Sequence, residues 1–394
     1  MLLAIAGLAG VFIQQGAFAD PLPMFLMAAG SAVSGLLLVP SAFYALWRLM
    51  GKQVEAPAHV LRKLQPGWWV LALPAVVLLG YLITQYSRIT WLLLPVLHVL
   101  AIGLPVLWLL WLTVRGLPLG SPQRMWGVFD SGLVLAPALI AVAEIFAALA
   151  YVLLGALAIA GKPELVQRFT SLSSWFAYGS PSPEEVIQVL GPLLVKPAVI
   201  LAALSFWSLV VPLIEELFKP IGVWLLAGRD LSPAAGFAAG ALSGAGYALF
   251  ESLALTSSGA EWTALVVARI GTSAVHILTA SLTGWGMAMA WKYRRYALLG
   301  LTYLGAVFIH GLWNGLTLFS SFSALAEAQG LPLDIPGVAQ LGQIAPIGLI
   351  TMALAAFAAL LWANWRLGRP GQVDAIPVPE PVDAPSENPE ESML

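Results

Sequence analysis

The chain contains no cysteine. That excludes disulfides, thiol nucleophiles and thiolate metal sites, so any metal must be held by His, Asp or Glu. Histidine is scarce as well: His59, His98, His276 and His310 are the only four in 394 residues. Charged residues make up only 10%, and a net charge of −2 argues against nucleic acid as a partner. What the chain has instead is apolar length. Hydrophobic residues make up 60% of it and the mean hydropathy is +0.88, values that belong to polytopic helical membrane proteins.

The hydropathy pattern predicts an all-α fold, a polytopic transmembrane helix bundle of about ten spans, at 2–18, 24–47, 68–85, 91–114, 128–160, 198–227, 233–255, 262–290, 296–319 and 345–366. Six regions follow. Residues 1–160 form an N-terminal transmembrane region, and 161–197 an extracytoplasmic loop with an interfacial helix. Residues 198–319 form a transmembrane core, 320–344 a second extracytoplasmic loop and 345–367 the last span. Residues 368–394, rich in Pro and acid, read as a disordered cytoplasmic tail. The first span resembles a signal-peptide core ending in Ala17-Phe18-Ala19. It lacks a basic n-region and is expected to remain uncleaved.

Lys and Arg set the orientation. Twelve of them (Arg48, Lys52, Arg62, Lys63, Arg115, Arg124, Arg229, Lys292, Arg294, Arg295, Arg366 and Arg369) fall in one set of connections. Four (Arg88, Lys162, Arg168 and Lys196) fall in the other. The first set is therefore expected in the cytoplasm, with both termini, and the protein in the cell membrane.

One stretch breaks the apolar pattern. Pro212-Leu213-Ile214-Glu215-Glu216-Leu217-Phe218-Lys219-Pro220 puts two carboxylates and an ammonium inside the sixth span. A charge at bilayer depth costs roughly 2.5–3.5 kcal/mol on insertion scales, so these groups must face one another, a cavity or a metal. Lys219 is four residues from Glu215 and three from Glu216, within helical reach of either. An ion pair that merely orders a bundle needs one acid, not two. Counted from the start of the span, Glu215 lies too deep for an outer-leaflet site, which predicts a break in the helix near Pro212.

The following spans add to the set. The seventh carries Gly236, Gly240 and Gly244, a small-xxx-small stripe for close helix approach, and then Glu251 two turns on, where a close neighbour would cover it. The eighth carries Arg269 and His276 on one face, and the ninth His310 and Asn314, four residues apart. By contrast, His98 stands alone and reads as a packing residue, and His59 as a solvated loop residue. Asp130 and Glu144 have no nearby His; Glu144 is expected to pair across helices.

Two imidazoles and three carboxylates on four successive spans make a hydrolytic inventory. Two His and a carboxylate form a common catalytic zinc set with one position left for water, and a second carboxylate can take the proton of that water. Without metal, a buried Glu can activate water directly while His and Asn stabilise the oxyanion. The residues leave both chemistries open. No His-Glu-x-x-His or Gly-x-Ser-Gly motif occurs, and Asp130 is the only Asp deep in a span, so zincin, serine and aspartyl-dyad chemistries are not supported. A proton-coupled transporter using the same Glu and His residues is the alternative reading, and a non-catalytic scaffold presenting 161–197 and 320–344 a third.

Glu215-Glu216-x-x-Lys219, Phe250-Glu251, His276 with Gly284 eight residues on, and His310-x-x-x-Asn314 together resemble the PrsW family of intramembrane proteases, related to the CAAX prenyl endopeptidase and ABI group. The resemblance spans about residues 200–320. It implies an endopeptidase acting on membrane-anchored proteins, in PrsW itself extracytoplasmic site-one cleavage of an anti-sigma factor. It further implies that Glu215 or Glu216 is the water-activating base and that His276 and His310 are metal ligands or oxyanion stabilisers. Glu251 would be a third ligand or the group orienting a His, so that His276, His310 and Glu251 form the metal set of a metal-dependent enzyme; the resemblance leaves metallo and glutamic chemistry both open, and zinc is the metal the donor types suit. Asn314 would bind the oxyanion or fix His310. Lys219 would tune the Glu pair, and Arg269 would bind a carboxylate or act as a structural counter-ion.

Overall fold

A computed structural model describes residues 22–52, 68–164, 195–257, 259–331 and 337–369, with scattered positions between 165 and 194 and Ile335. The expected span at 2–18, His59, most of the 161–197 loop and the tail beyond Arg369 lie outside the described residues. Among the described residues every regular element is helical: α1 (Leu22–Leu37), α2 (Val39–Leu49), α3 (Leu73–Thr84), α4 (Ser87–Val114), α5 (Pro122–Asp130), α6 (Ala136–Ala160), α7 (Pro197–Ser205), α8 (Val211–Phe218), α9 (Ile221–Trp224), α10 (Pro233–Ala254), α11 (Gly259–Tyr293), α12 (Tyr296–Gln329) and α13 (Val338–Leu367).

Length and apolarity qualify seven spans among these residues rather than ten: 22–49, 88–114, 122–158, 197–224, 261–293, 296–328 and 338–367. The expected span at 68–85 reduces to a shorter apolar helix, Trp69–Thr84. Helix α10, also expected to cross, is not among the seven, but it is buried on nearly all sides. Its glycines, which lower its hydropathy, also let α11 approach closely. At the far end, α12 runs on to Gln329, past the end expected at 319.

Two spans are interrupted in the same way. A π-helical turn at Ser131–Leu135 lies two residues before Pro137, and another at Phe206–Val210 lies two residues before Pro212. Proline has no N–H for the carbonyl four residues back, and its ring pushes that carbonyl away. A wide turn absorbs the displacement. The break expected near Pro212 is therefore a π-turn just before it. A second break follows at Lys219-Pro220, between α8 and α9.

The glycine stripe does what its spacing predicts. A Cβ on Gly236 would meet Gly284 and Ala288, one on Gly240 would meet Ala280, and one on Gly244 would stand 2.8 Å from the carbonyl oxygen of His276. The backbones of α10 and α11 thus touch beside the histidine, and α11 is the neighbour that covers Glu251. On the opposite side of α10, Gly246 packs on the Ser131–Leu135 turn.

Candidate active site

Glu215 and Glu216 project from α8, Glu251 from the end of α10, His276 from the middle of α11 and His310 from the middle of α12. The structure brings all five together around Lys219, whose side chain is 0% exposed. Lys219 Nζ lies 2.7 Å from Glu216 Oε1, 2.8 Å from His276 Nδ1 and 3.3 Å from His310 Nδ1. It also forms an ion pair with Glu215 Oε2 at 3.0 Å; among the described residues that oxygen has no hydrogen-bond partner, and neither has Glu216 Oε2. The ammonium therefore answers the charge of both acids.

The break after α8 places the ammonium there. Pro220 ends the helix, and the buried Ser243 hydroxyl donates to the carbonyl of Lys219 at 2.6 Å, satisfying an acceptor the broken helix leaves open. The amide of Gly222 in turn reaches the same hydroxyl at 3.4 Å.

Each imidazole is fixed by a carboxylate. Glu251 Oε2 lies 2.6 Å from His276 Nε2, and Arg269 holds both oxygens of Glu251, at 3.2 and 2.7 Å. Arg269 is itself placed by Ser252, to which Nε donates at 2.9 Å. An arginine-paired carboxylate accepts hydrogen bonds, so His276 carries its proton on Nε2 and its lone pair on Nδ1. His310 Nδ1 faces both Glu216 Oε1, at 2.9 Å, and the Lys219 ammonium, at 3.3 Å. Its Nε2 lies 3.9 Å from Glu215 Oε2. The two rings stand edge to face, with centroids 5.1 Å apart, and Tyr247 packs edge-on against His276 at 5.3 Å.

Glu215, His276 and His310 each offer a ligand atom within 4.8 Å of the others, and all three are buried. Two imidazoles and a carboxylate suit zinc by donor type, and Glu215 Oε2 accepts no hydrogen bond from the described residues. Glu251, expected in the metal set, stands behind His276 in the position of a group that orients a ligand.

A cavity of about 780 Å³ opens beside the cluster. Glu215, Glu251, His276 and His310 line its floor, and Glu216 and Lys219 lie behind them. Its walls are largely apolar: Trp207 and Val211, the stretch of α11 before His276, the stretch of α12 after His310, and Pro346, Ile350 and Leu354 of α13. Asn314 also lines the cavity. Its side-chain amide donates to the Trp207 carbonyl at 2.9 Å, tying α12 to the π-turn, while Gly311 packs on the neighbouring carbonyl of Ser208.

Sequence reasoning missed Ser243, Ser252 and the wall supplied by α13. Serines in apolar helices usually bond their own backbone, so nothing local marks these two. His98 is buried and accepts from Trp262 Nε1 at 3.2 Å, the packing role expected of it. Glu144, expected to pair across helices, makes no ion pair or hydrogen bond with the described residues and does not line the cavity.

The sequence profile of the PrsW family intramembrane metalloproteases matches residues 125–341, more than half of the chain. The matched region contains α8 and α10–α12 and so every residue of the cluster. No curated protein and no solved structure matches the chain.

Proposed function

The chain belongs to the PrsW family of intramembrane metalloproteases, and from that membership we propose that it hydrolyses a peptide bond of a membrane-anchored protein near the outer side of the cell membrane, as in regulated site-one proteolysis. The observation that carries the reading is the convergence of Glu215, His276 and His310 on the floor of a cavity with apolar walls. Such a cavity takes an apolar segment that leaves its lipid surroundings to reach a hydrolytic centre.

The Lys and Arg distribution together with the cavity walls supports the outer side of the membrane. With both termini cytoplasmic, α11 runs inward and α12 outward. The cavity is lined by Ala264, Arg269 and Thr272 before His276, by Thr317 and Leu318 after His310, and by the first half of α13. All of these lie on the outer side of the two histidines.

Glu215, His276 and His310 are the proposed ligands of a zinc ion, which when bound supplies a Lewis acid and an acidified water. Glu216, whose Oε2 also accepts no hydrogen bond from the described residues, is the proposed acceptor of the water proton. Glu251 and Arg269 hold His276 in the tautomer with its lone pair on Nδ1. One N–H of Asn314 is spent on Trp207, and the other remains for the carbonyl oxygen of the scissile bond.

Zinc content and cleavage of a single-span substrate, measured together on purified protein, test these roles. Glu215→Gln should lose both. Glu216→Gln should keep the metal and lose cleavage. Undiminished cleavage by metal-free protein would overturn the zinc assignment.

A further inference from the structure

The ammonium of Lys219 stands where one of the proposed metal bonds would have to form. The Nε2–H of His276 is committed to Glu251, so Nδ1 carries the only lone pair that ring can offer, and Lys219 Nζ lies on it at 2.8 Å. A zinc–imidazole bond is about 2.0–2.1 Å long. An ion on that lone pair would therefore fall within about 1 Å of the ammonium nitrogen, closer than any two such groups can approach. The same ammonium stands 3.0 Å from Glu215 Oε2, so it lies against a second of the three donors, while His310 Nε2 lies 3.9 Å from that oxygen.

Resting on the metal reading above, we infer that Lys219 and the metal are alternative occupants of one position, so that the ion enters only as Nζ leaves the lone pair of His276. Without the ion, Lys219 neutralises part of the charge of two adjacent buried acids and caps a lone pair that would otherwise be unsatisfied. When the ion arrives, a second positive charge takes over both tasks. Lys219 can leave His276 without losing Glu216, because that contact, at 2.7 Å, is made by an acid three residues away on its own helix. The lysine thus serves as a placeholder. It keeps the metal-free fold intact and weakens metal binding by having to be displaced.

The test is zinc affinity rather than catalysis. Full-length protein is freed of metal in detergent and titrated with zinc against a chromophoric chelator. Lys219→Met alone would strand two buried acids, so the informative variant is Glu216→Gln/Lys219→Met. It preserves the formal charge of the Glu215, Glu216 and Lys219 group as well as all three ligands. We expect it to bind zinc at least about tenfold more tightly than wild type, through loss of close like-charge repulsion. Glu216→Gln alone, which keeps the lysine and removes a negative charge, should bind zinc no more tightly than wild type. Equal or weaker binding by the double variant overturns the placeholder role and leaves the metal reading standing. Zinc binding by none of the proteins above a Glu215→Gln/His310→Ala background overturns both.

Discussion

Nε2 of His276 and Oε2 of Glu251 lie 2.6 Å apart, and Arg269 closes on both oxygens of the same carboxylate. The three side chains come from two helices and form a chain in which the arginine fixes the acid and the acid fixes the imidazole. Carboxylates behind ligating histidines set the tautomer and raise ligand basicity, and their loss typically costs 10–100-fold in metal affinity. Glu251→Gln should therefore weaken zinc binding by about that factor. Competition with a chelator measures it, and an unchanged affinity would remove Glu251 from the site.

The contact between Gly244 and the His276 carbonyl makes the helix pair sensitive to a single methyl group. A Cβ there stands 2.8 Å from that oxygen and 2.7 Å from the Ala280 methyl, whereas one on Gly155 meets nothing within 4 Å. Gly244→Ala should destabilise the protein by about 1–3 kcal/mol, the usual range for overpacking. Gly155→Ala should be neutral or slightly stabilising, since alanine is the better helix former. Thermal unfolding of both variants in the same detergent reads the difference.

Ser243 supplies the only hydrogen bond that the described residues give the Lys219 carbonyl. Ser243→Ala leaves a buried acceptor unpaired, at a cost of about 1–3 kcal/mol. The break after α8 should loosen with it, and hydrogen exchange across 217–224 should rise relative to α10. Unchanged protection there would mean that Pro220 holds the break by itself.

Much of this site is legible because charge is expensive in lipid. Glu215, Glu216, Lys219, Glu251 and Arg269 can only be there for a reason, and the first four sit with His276 and His310 around one point. The glycine spacing at 236, 240 and 244 is legible for a related reason, since a run of small residues weakens apolar burial unless another backbone fills the groove. Details that depend on partners far apart in the chain were not readable. Nothing near Glu251 says that it stands behind His276 while Glu215 groups with the two imidazoles. That depends on how far α8 turns after its π-helical start. Asn314, expected to act on the oxyanion or on His310, binds the Trp207 carbonyl because a π-turn exposes that group. The last span carries no His, Asp, Glu or Lys, and its place as a cavity wall shows only in three dimensions.

The central claim is that polar groups on four helices form one hydrolytic centre. Cleavage of a single-span substrate by purified wild type, Glu215→Gln, His276→Ala and His310→Ala, measured side by side with folding checked by thermal unfolding, tests it most directly. Each folded variant should lose at least about 100-fold in rate, the scale on which removing one transition-state contact acts. A folded variant among the three that cleaves at the wild-type rate would contradict it.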